Sequence, residues 1–454
     1  MDKLNGEVKV KPERLEAGRA LRKQFPRSSH RAWTPARHRD PIGILEEQAR
    51  SREKVLTPIR YQRMAQSAFA FFRGGAAIMA KDLACTPDTG IRVQTCGDAH
   101  VANFGKFATP ERRLVFDIND FDETLPGPWE WDVKRLCTSM HIAAREHGFS
   151  KSKCDAIVLN TVRAYRERLA EYSHIRTLDL WYDRIRVKDV IAHFDTKYRP
   201  TMKRAVKKAK RKTHVRAIAK LTRAGKQGVR FLEDPPIQVH LARTGRNMDD
   251  ALSMMEDYRK TLREDRRFLF DRYTLVDVAR KVVGVGSVGT RCWIALFEAA
   301  DHPLGDRMVL QIKEAQQSVL EPFVGESSRG HHGRRVVTGQ WLIQGASDMM
   351  LGWCTAPKTG RQYYVRQLWD VKGQGDLTSM NFENLALYGA LCAWALARAH
   401  ARTGDAVEIS GYLGRSNVFD HAIVEFAAAY AETNARDYEL LRKAIASRRV
   451  RAHA

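Results

Sequence analysis

The chain has 454 residues, 44% of them hydrophobic and 29% charged, a composition typical of a folded protein with room for more than one core. Its formal net charge of +24 permits nucleic acid, an anionic surface or a polyphosphate as partner, and selects none of them. No apolar run approaches the roughly 18 residues of a membrane span, and the charged N-terminus predicts no secretory signal. The seven scattered cysteines, without a Cys-x-x-Cys pair, predict a cytoplasmic protein.

The N-terminal part changes character near residue 55. Residues 1–55 are rich in Lys, Arg and Pro and predict a basic arm that is irregular or partly helical. Over 60–84, apolar residues recur at helical spacing and predict a helix packed on the core. Gly74 and Gly75 predict a break in it, because each costs about 1 kcal/mol relative to alanine inside a helix. Arg73 beside the break is a candidate phosphate ligand, with a surface or ion-pair role as the alternative.

Two loops rich in polar side chains come next in the chain. The first carries Asp98, His100 and Asn103, and the second carries Asp120 and Asp122, each after a segment with the pattern of a strand. Loops that follow neighbouring strands can face one small volume. The alternative is a pair of Asx-rich turns, because Asp, Asn and Gly are ordinary turn residues.

Phosphoryl transfer needs this set of side chains. One carboxylate orients the attacking hydroxyl group, and amide and carboxylate oxygens hold the magnesium ions that bridge the nucleotide phosphates. Asp98 takes the first role in this prediction. Asn103, Asp120 and Asp122 are the predicted metal ligands.

The first loop resembles the catalytic loop His-Gly-Asp-x-His-x-x-Asn of the kinase-like phosphotransferases, in particular the aminoglycoside and choline kinase branch. Asp98, His100 and Asn103 match it, while Cys96 replaces the leading histidine. The resemblance implies that Asp98 and His100 are catalytic residues. In that branch a similar aspartate heads the helix after the metal-binding strand, and Asp132 has this place here, where an ordinary N-cap would look the same.

A basic run follows at 197–230, with fourteen Lys or Arg residues and no Asp or Glu. Such a run can contact a polyanion such as nucleic acid by neutralising phosphates. The alternative is a solvated helix face. The segment Asp234-Pro235-Pro236 then predicts a linker before a new unit.

The second informative region is a Gly-x-Gly-x-x-Gly element formed by Gly284, Gly286 and Gly289. It is either a dinucleotide-binding turn or a hairpin over nucleotide phosphates, and the β-branched and aromatic flanks favour the hairpin. A further predicted strand ends at Lys313, which would pair with the phosphates as the lysine of the kinase small lobe does. Glu321 is the acid expected to steady this lysine.

Helical periodicity predicts long helices after Trp129 and over 155–172, 382–402 and 419–447. In ordinary kinases the glycine loop and its lysine precede the catalytic and metal loops, and here the order is reversed. If the kinase resemblance holds, the fold is circularly permuted, which is permissible where termini lie close together at a domain surface.

The whole chain, from about residue 40 to 440, also resembles the uncharacterised bacterial family catalogued as domain of unknown function 2252. The shared motifs are Cys-Gly-Asp-Ala-His at 96–100, Phe-Asp-Ile-Asn-Asp-Phe-Asp-Glu at 116–123, Pro-Trp-Glu-Trp-Asp at 128–132 and Tyr-Tyr-Val-Arg-Gln at 363–367. This resemblance implies a family and no particular reaction.

The prediction is therefore an α+β, protein-kinase-like, circularly permuted two-lobe fold with a helix-rich large lobe and an antiparallel-sheet small lobe. Its parts are a basic arm (1–55), a helical large-lobe part with both acidic loops (56–235), a nucleotide-binding sheet lobe (236–372) and a helical return (373–454). The predicted activity is ATP- and magnesium-dependent phosphoryl transfer to a hydroxyl-bearing acceptor. Alternatives are a nucleotide-binding pseudokinase, a nucleotidyltransferase and a basic nucleic-acid-binding protein.

Overall fold

The computed structural model describes residues 10–191, 196, 199–210, 214–225, 228–240, 245–282, 284, 286, 288–299, 305–368, 373 and 375–452. They form a mixed α+β fold. The helices are, in chain order, α1 (Lys11–Gln24), α2 (Pro41–Arg50), α3 (Thr57–Met64), α4 (Ala68–Gly74), α5 (Ala76–Leu83), α6 (Trp129–Glu146), α7 (Lys151–Tyr172), α8 (Thr177–Tyr182), α9 (Val187–Ile191), α10 (Arg199–Lys210), α11 (His214–Leu221), α12 (Gly245–Thr261), α13 (Glu264–Phe270), α14 (Glu321–Val324), α15 (His332–Ile343), α16 (Phe382–Thr403), α17 (Ala406–Leu413) and α18 (Val418–Ala446).

The described strands form one six-stranded sheet and three two-stranded ones. In chain order they are β1 (Arg92–Thr95), β2 (Phe104–Ala108), β3 (Leu114–Ile118), β4 (Leu125–Pro128), β5 (Thr222–Gly225), β6 (Gly228–Phe231), β7 (Gln238–His240), β8 (Tyr273–Lys281), β9 (Cys292–Ala299), β10 (Arg307–Glu314), β11 (Gly352–Thr355) and β12 (Gln362–Gln367). The six-stranded sheet has the order β11-β12-β10-β9-β8-β7 and is antiparallel throughout. Short antiparallel pairs join β1 to β4 and β2 to β3.

The largest apolar core lies among α6, α7, α16 and α18, the helices that periodicity predicts. Trp129 of α6 stacks on Tyr165 of α7 with ring centroids 5.8 Å apart. Gly389 lets α16 approach α7 closely, because a Cβ at this position would lie 2.3 Å from Thr161 Oγ1. These packed helices are the scaffold from which the acidic loops emerge.

The six-stranded sheet is covered on both faces. Alternate residues of β10 point to opposite sides, so that Leu310 packs in a core with α12 and α13, and Val309 packs in another with α11. Lys313 shares the parity of Val309 and lies opposite Tyr364 of β12. Because β10 is buried along nearly its whole length, the amine of Lys313 lies in an environment that needs a charged partner.

The described part of the predicted basic arm, residues 10–55, is largely helical. Helix α1 lies against α17 so closely that a Cβ at Gly18 would be 2.0 Å from the carbonyl oxygen of Glu408. Arg14 pairs with Asp405 at 2.6 Å beside this contact. The sequence pattern does not indicate these helices because their apolar faces are short and their other faces carry many basic residues.

The single helix predicted over 60–84 is three helices, α3, α4 and α5. Ser67 begins α4 by accepting a hydrogen bond from the backbone N–H of Ala70 at 3.1 Å. The predicted break at the glycine pair is present, since α4 ends at Gly74 and α5 begins after Gly75. A Cβ at Gly74 would meet Met64 Sδ at 2.6 Å, so the break also serves a close helix contact.

A buried ion cluster ties the N-terminal segment to the rest of the fold. Arg39 donates to Asp82 at 2.7 Å and to Asp437 at 2.6 Å, and all three side chains are less than a tenth exposed. Tyr430 donates its hydroxyl to Asp82 at 2.6 Å. The cluster therefore joins the segment before α2 to both α5 and α18.

We expect Arg39→Met to lower the free energy of unfolding by about 3–5 kcal/mol, because it leaves two buried carboxylates without their cation. Urea unfolding followed by circular dichroism measures this loss. The matched control is Arg19→Met, which removes an exposed pair with Glu16 and should change stability by less than about 1 kcal/mol. Equal losses in the two variants would contradict the expectation.

Candidate active site

The two informative regions of the sequence meet in one cleft. Lys313, at the end of β10, forms an ion pair with Asp122, and its Nζ lies 4.0 Å from Asp120 Oδ2. Tyr364 on the neighbouring strand donates its hydroxyl to Asp122 Oδ1 at 2.8 Å. The sheet and the second acidic loop are therefore joined by charge-assisted contacts.

The first acidic loop is held by a buried carboxylate beneath it. Asp132 accepts hydrogen bonds from the backbone N–H groups of Cys96 at 2.6 Å and Gly97 at 3.0 Å, and His400 Nε2 lies 3.3 Å from it. The prediction of Asp132 as an N-cap is wrong, since Pro128 is at the N-cap of α6 and Asp132 lies one turn inside the helix. Its role is to fix the loop that carries Asp98.

Cys96, which replaces the leading histidine of the kinase-like motif, joins the two acidic loops. Its thiol donates to the carbonyl oxygen of Asp120 at 3.4 Å. A second link comes from the backbone N–H of Asn119, which donates to the carbonyl oxygen of Asn103 at 2.8 Å. A shift in the position of one loop will therefore displace the other through these two hydrogen bonds.

Asp98 is set in place by Arg135, whose Nε donates to Oδ1 at 2.8 Å. Its side chain keeps 20% of its surface exposed and lines the cleft. Burial raises the pKa of Asp98, and the charges of Arg135 and Arg73 oppose this shift. An aspartate so placed presents a carboxylate to the cleft with raised basicity, which suits a group that accepts a proton.

His100 and Asn103 lie beside Asp98 and also line the cleft. His100 Nε2 is 3.7 Å from Asp98 Oδ2, and burial lowers the pKa of this histidine so that the imidazole is neutral at physiological pH. Asn103 donates its amide to the carbonyl oxygen of Asp98 at 2.8 Å. The structure thus brings the three residues of the first loop together.

The pKa values of Asp120 and Asp122 are shifted in opposite directions. Burial and the neighbouring charge of Asp122 raise the pKa of Asp120. For Asp122, burial is outweighed by Lys313 and by the hydroxyl of Tyr364, so that its pKa is lowered. Burial is likewise outweighed at Lys313, where the two aspartates raise the pKa and keep the amine charged.

Asp117, in the same stretch, is not part of the cleft wall. It is 1% exposed and forms an ion pair with Arg398 of α16. It also accepts a hydrogen bond from the backbone N–H of Gly345 at 3.0 Å.

The glycine loop between β8 and β9 is held by the N-terminal segment. Arg63 donates to the carbonyl oxygen of Gly284, and the backbone N–H of Glu53 donates to that of Gly289 at 2.8 Å. A Cβ at Gly286 would lie 3.4 Å from the carbonyl oxygen of Arg73. Gly284, Gly286 and Arg73 line the cleft, so this part of the loop belongs to the same cleft wall as the acids.

The structure differs from the prediction at Glu321. This residue lies 3.7 Å from Arg335 and 3.9 Å from His332, while the acids beside Lys313 are Asp120 and Asp122. The partner of a buried lysine is chosen by tertiary packing, and proximity along the sequence does not reveal it. Glu321 stabilises Arg335, which in turn donates to the carbonyl oxygen of Asp122 at 2.8 Å.

The cleft has a volume of about 800 Å³, within the range of small-molecule sites. Sequence reasoning missed several of its charged wall residues, among them Arg52, Arg60 and Glu123. Glu123 could have been predicted, because it directly follows Asp120 and Asp122 at the end of the acidic stretch. The two arginines lie in a segment so rich in basic residues that no pattern distinguishes them.

The donor set fits magnesium held jointly with a ligand. Among the described residues, no three His, Cys, Asp or Glu side chains form a ready-made metal site. Magnesium usually keeps several waters and takes only one or two carboxylates in addition to substrate phosphates. Asp120, with 35% of its side chain exposed, and the neighbouring oxygens of Asn103 and Asp122 suit that kind of binding.

The basic run at 197–230 is only partly covered by the structure. Its positions 197–198, 211–213 and 226–227 lie outside the described residues. Lys203, Arg204 and Lys207 on α10 are exposed. Within the described part of the run, no residue lines the cleft, and its contact with a polyanion stays a prediction.

Gly97 provides a test of how closely the acidic loops approach each other. Its φ is 79°, and a Cβ there would lie 2.4 Å from the carbonyl oxygen of Glu123. Gly90 is the matched control, with a φ of 76° and nothing within 4 Å of its Cβ position. We expect Gly90→Ala to cost about 1–2 kcal/mol of stability from backbone strain, and Gly97→Ala about 1–3 kcal/mol more from the clash. Urea unfolding of both variants checks this, and equal costs would contradict it.

Glu123 predicts a specific pH dependence of stability. Burial raises its pKa from 4.5 to about 7, so the folded state binds this proton more tightly than the unfolded chain does. The stabilisation is present below about pH 4.5 and is lost as the pH rises through about 7. We expect Glu123→Gln to reduce the loss of stability between pH 5 and 7.5, because glutamine cannot ionise. The expected reduction is only on the order of 1 kcal/mol, because solvent screens a side chain that is partly exposed.

Unfolding free energies of the native chain and of Glu123→Gln at both pH values test this expectation. Glu130, whose pKa burial also raises to about 7, supplies a second variant, Glu130→Gln, which should flatten the profile separately. An unchanged pH profile in Glu123→Gln would show that this carboxyl is not buried as the structure has it.

Comparisons with known proteins bear on the whole of this region. The family described as an uncharacterized protein conserved in bacteria (DUF2252) matches residues 52–444, which include both acidic loops, the glycine loop and Lys313. No curated protein and no solved structure matches the chain. Within the described ranges, no helix has the length and apolar character needed to cross a membrane. The chain belongs to the bacterial family DUF2252.

Proposed function

We propose that this protein is an ATP- and magnesium-dependent phosphotransferase that acts on a hydroxyl-bearing acceptor. The observation that carries the proposal is the contact of Lys313 with Asp122, 191 positions away in the sequence, in the cleft that Asp98 and Asn103 also line. A phosphate-binding lysine, a metal-binding set and a proton acceptor within one small volume are the parts that phosphoryl transfer requires.

The order of the parts on the sheet also supports a kinase-like arrangement. The glycine loop joins β8 to β9, and the lysine lies on the next strand, β10, which pairs with β9. In protein kinases a glycine-rich loop covers the phosphates and the lysine lies on the third strand. The chain would then be a permuted two-lobe kinase-like fold, with the sheet as the small lobe and the long helices as the large one.

Each residue has a role in the proposed reaction. Gly284, Gly286 and Gly289 let the loop approach the phosphates, and Lys313 pairs with them. Asn103 and Asp120, with Asp122, hold magnesium, which neutralises the phosphate charge when it is bound. The cleft position of Arg73 suits a further phosphate contact.

Asp98 orients the acceptor hydroxyl and takes its proton. The acceptor oxygen forms a bond to the γ-phosphorus as the bond between that phosphorus and the β,γ-bridging oxygen breaks, and ADP leaves. Arg135 holds the carboxylate in place, and neutral His100 beside it adds no further positive charge. The raised pKa of Asp98 favours this proton transfer.

We expect ATP with magnesium, at a hundred times its dissociation constant, to stabilise the native chain by about 2.7 kcal/mol. Asp98→Asn should keep this stabilisation and lose phosphoryl transfer by about 10²–10⁴-fold, because it removes the proton acceptor and leaves the phosphate contacts. Thermal melting measures the first effect, and ADP release with a panel of hydroxyl-bearing acceptors measures the second.

The control for Asp98→Asn is Asp155→Asn. Asp155 is part-buried and lies beside Lys151 and His141, a setting like that of Asp98, but it is not in the cleft wall. This variant should keep both ATP binding and transfer. No stabilisation of the native chain by ATP and magnesium would overturn the proposal, and binding without transfer to any acceptor would favour the pseudokinase alternative.

A further inference from the structure

One wall of the cleft carries three arginines that have no carboxylate partner within 4 Å among the described residues. They are Arg52, just after α2, Arg60 in α3 and Arg73 in α4. Arg60 is the most unusual of them, because it is 1% exposed. The guanidinium group of Arg60, which is always positively charged, is therefore buried away from water at the edge of this cleft.

The contacts of Arg60 do not balance its charge. One terminal nitrogen, Nη2, donates to Gln48 Oε1 at 2.9 Å and to the carbonyl oxygen of Gly74 at 3.1 Å. Nε and Nη1 are buried and have no hydrogen-bond partner among the described residues. Burial, and then the neighbouring charge of Arg52, lower the pKa of Arg60, and only the Tyr61 phenol opposes the shift, with no carboxylate among its causes.

Two other buried arginines, Arg335 and Arg398, have a carboxylate neighbour. Arg398 pairs with Asp117, and Arg335 lies 3.7 Å from Glu321. Removing a guanidinium from water without a partner costs several kcal/mol. Arg60 thus differs from Arg335 and Arg398, and it does so beside a cavity large enough for a ligand.

The two neighbouring arginines extend the same feature. Arg52 donates Nη1 to the carbonyl oxygen of Val288 at 2.6 Å, and its Nε is buried without a partner among the described residues. Arg73 likewise has a buried, unpartnered Nε, and Asp98 and Asp120 are the charges that act on it. Arg73 therefore connects the arginine wall electrostatically to the proposed proton acceptor.

We propose that Arg52, Arg60 and Arg73 form an anion subsite that holds a phosphate group carried by the acceptor. A dianionic phosphate suits three guanidinium groups better than a single carboxylate does. Lys313 and the glycine loop already serve the phosphates of the nucleotide, and Arg60 is held by α2 and α4, not by the sheet. The acceptor is then a phosphorylated alcohol or sugar with a further hydroxyl group. The anion subsite stands on its own, whereas its assignment to the acceptor rests on the proposed phosphotransferase function.

Inorganic phosphate is the probe for the subsite, used with the full chain and with sodium chloride at equal ionic strength as the reference. Phosphate should raise the melting temperature of the native chain and bind measurably by calorimetry. Arg60→Met should weaken phosphate binding by about tenfold or more, since it removes a buried positive charge from the wall of the subsite, where the low dielectric strengthens its attraction for an anion. Without phosphate the variant should melt at the same temperature as the native chain or higher, because a buried unpaired charge has been replaced by an apolar side chain.

Arg50→Met is the matched control, since Arg50 is exposed at the end of α2 and is not in the cleft wall. It should leave phosphate binding unchanged. Equal phosphate affinity in Arg60→Met and Arg50→Met, or no specific binding to the native chain, would overturn the subsite.

A second measurement identifies the source of the phosphate. If the subsite serves the acceptor, inorganic phosphate still binds when ATP and magnesium are saturating, and phosphorylated sugars have a KM lower than their unphosphorylated parents by about tenfold or more. Competition between phosphate and ATP would overturn the assignment to the acceptor. Binding that depends on Arg60 in a chain that ATP does not stabilise would support the subsite while the phosphotransferase proposal fails.

Discussion

The ion pair between Lys313 and Asp122 is the contact on which the cleft depends. It joins β10 to the loop after β3 across 191 positions of the sequence. Lys313 is only 2% exposed, so its charge would be strongly destabilised without the two aspartates and the hydroxyl of Tyr364 nearby. The same sheet carries the glycine loop between β8 and β9. A fold that satisfies this lysine therefore also brings the glycine loop to the acids.

Each acidic loop rests on a buried carboxylate that is not itself in the cleft wall. Asp132 of α6 binds the backbone of the first loop, and Asp117 at the start of the second is paired with Arg398 of α16. Asp132 belongs to the long helix α6, and Asp117, near the end of β3, is tied to the long helix α16 by Arg398. Residues that line the cleft are thus positioned by rigid elements, which is what a precise arrangement of reacting groups requires.

Local pattern was enough to predict the mixed α+β character, several long helices and strands, and some of the residues that line the cleft. Strands such as β3 and β10, and helices such as α16, are predicted by the periodicity of apolar residues in a short window of sequence. The acids of the cleft come directly after such strands. The partner of Lys313 could not be found in this way. Glu321 is near it in sequence but lies against Arg335, and the true partner comes from a distant loop. The same limit hid Arg60, whose burial depends on the packing of α2 and α4 around it.

The net charge of the chain alone favours no ligand, but the arrangement of charges in the cleft favours one that carries both signs of charge. The acidic loops contribute Asp98 and Asp120, and the helices α3 and α4 contribute Arg60 and Arg73 to the same cavity. A ligand that carried only negative charge would be repelled by the first set, and one that carried only positive charge would be repelled by the second. In the proposed reaction the magnesium ion faces the carboxylate oxygens, the nucleotide phosphates face the ammonium group of Lys313, and the phosphate of the acceptor faces the guanidinium groups. Under the proposed function, each kind of wall therefore faces a part of the ligands that carries the opposite charge.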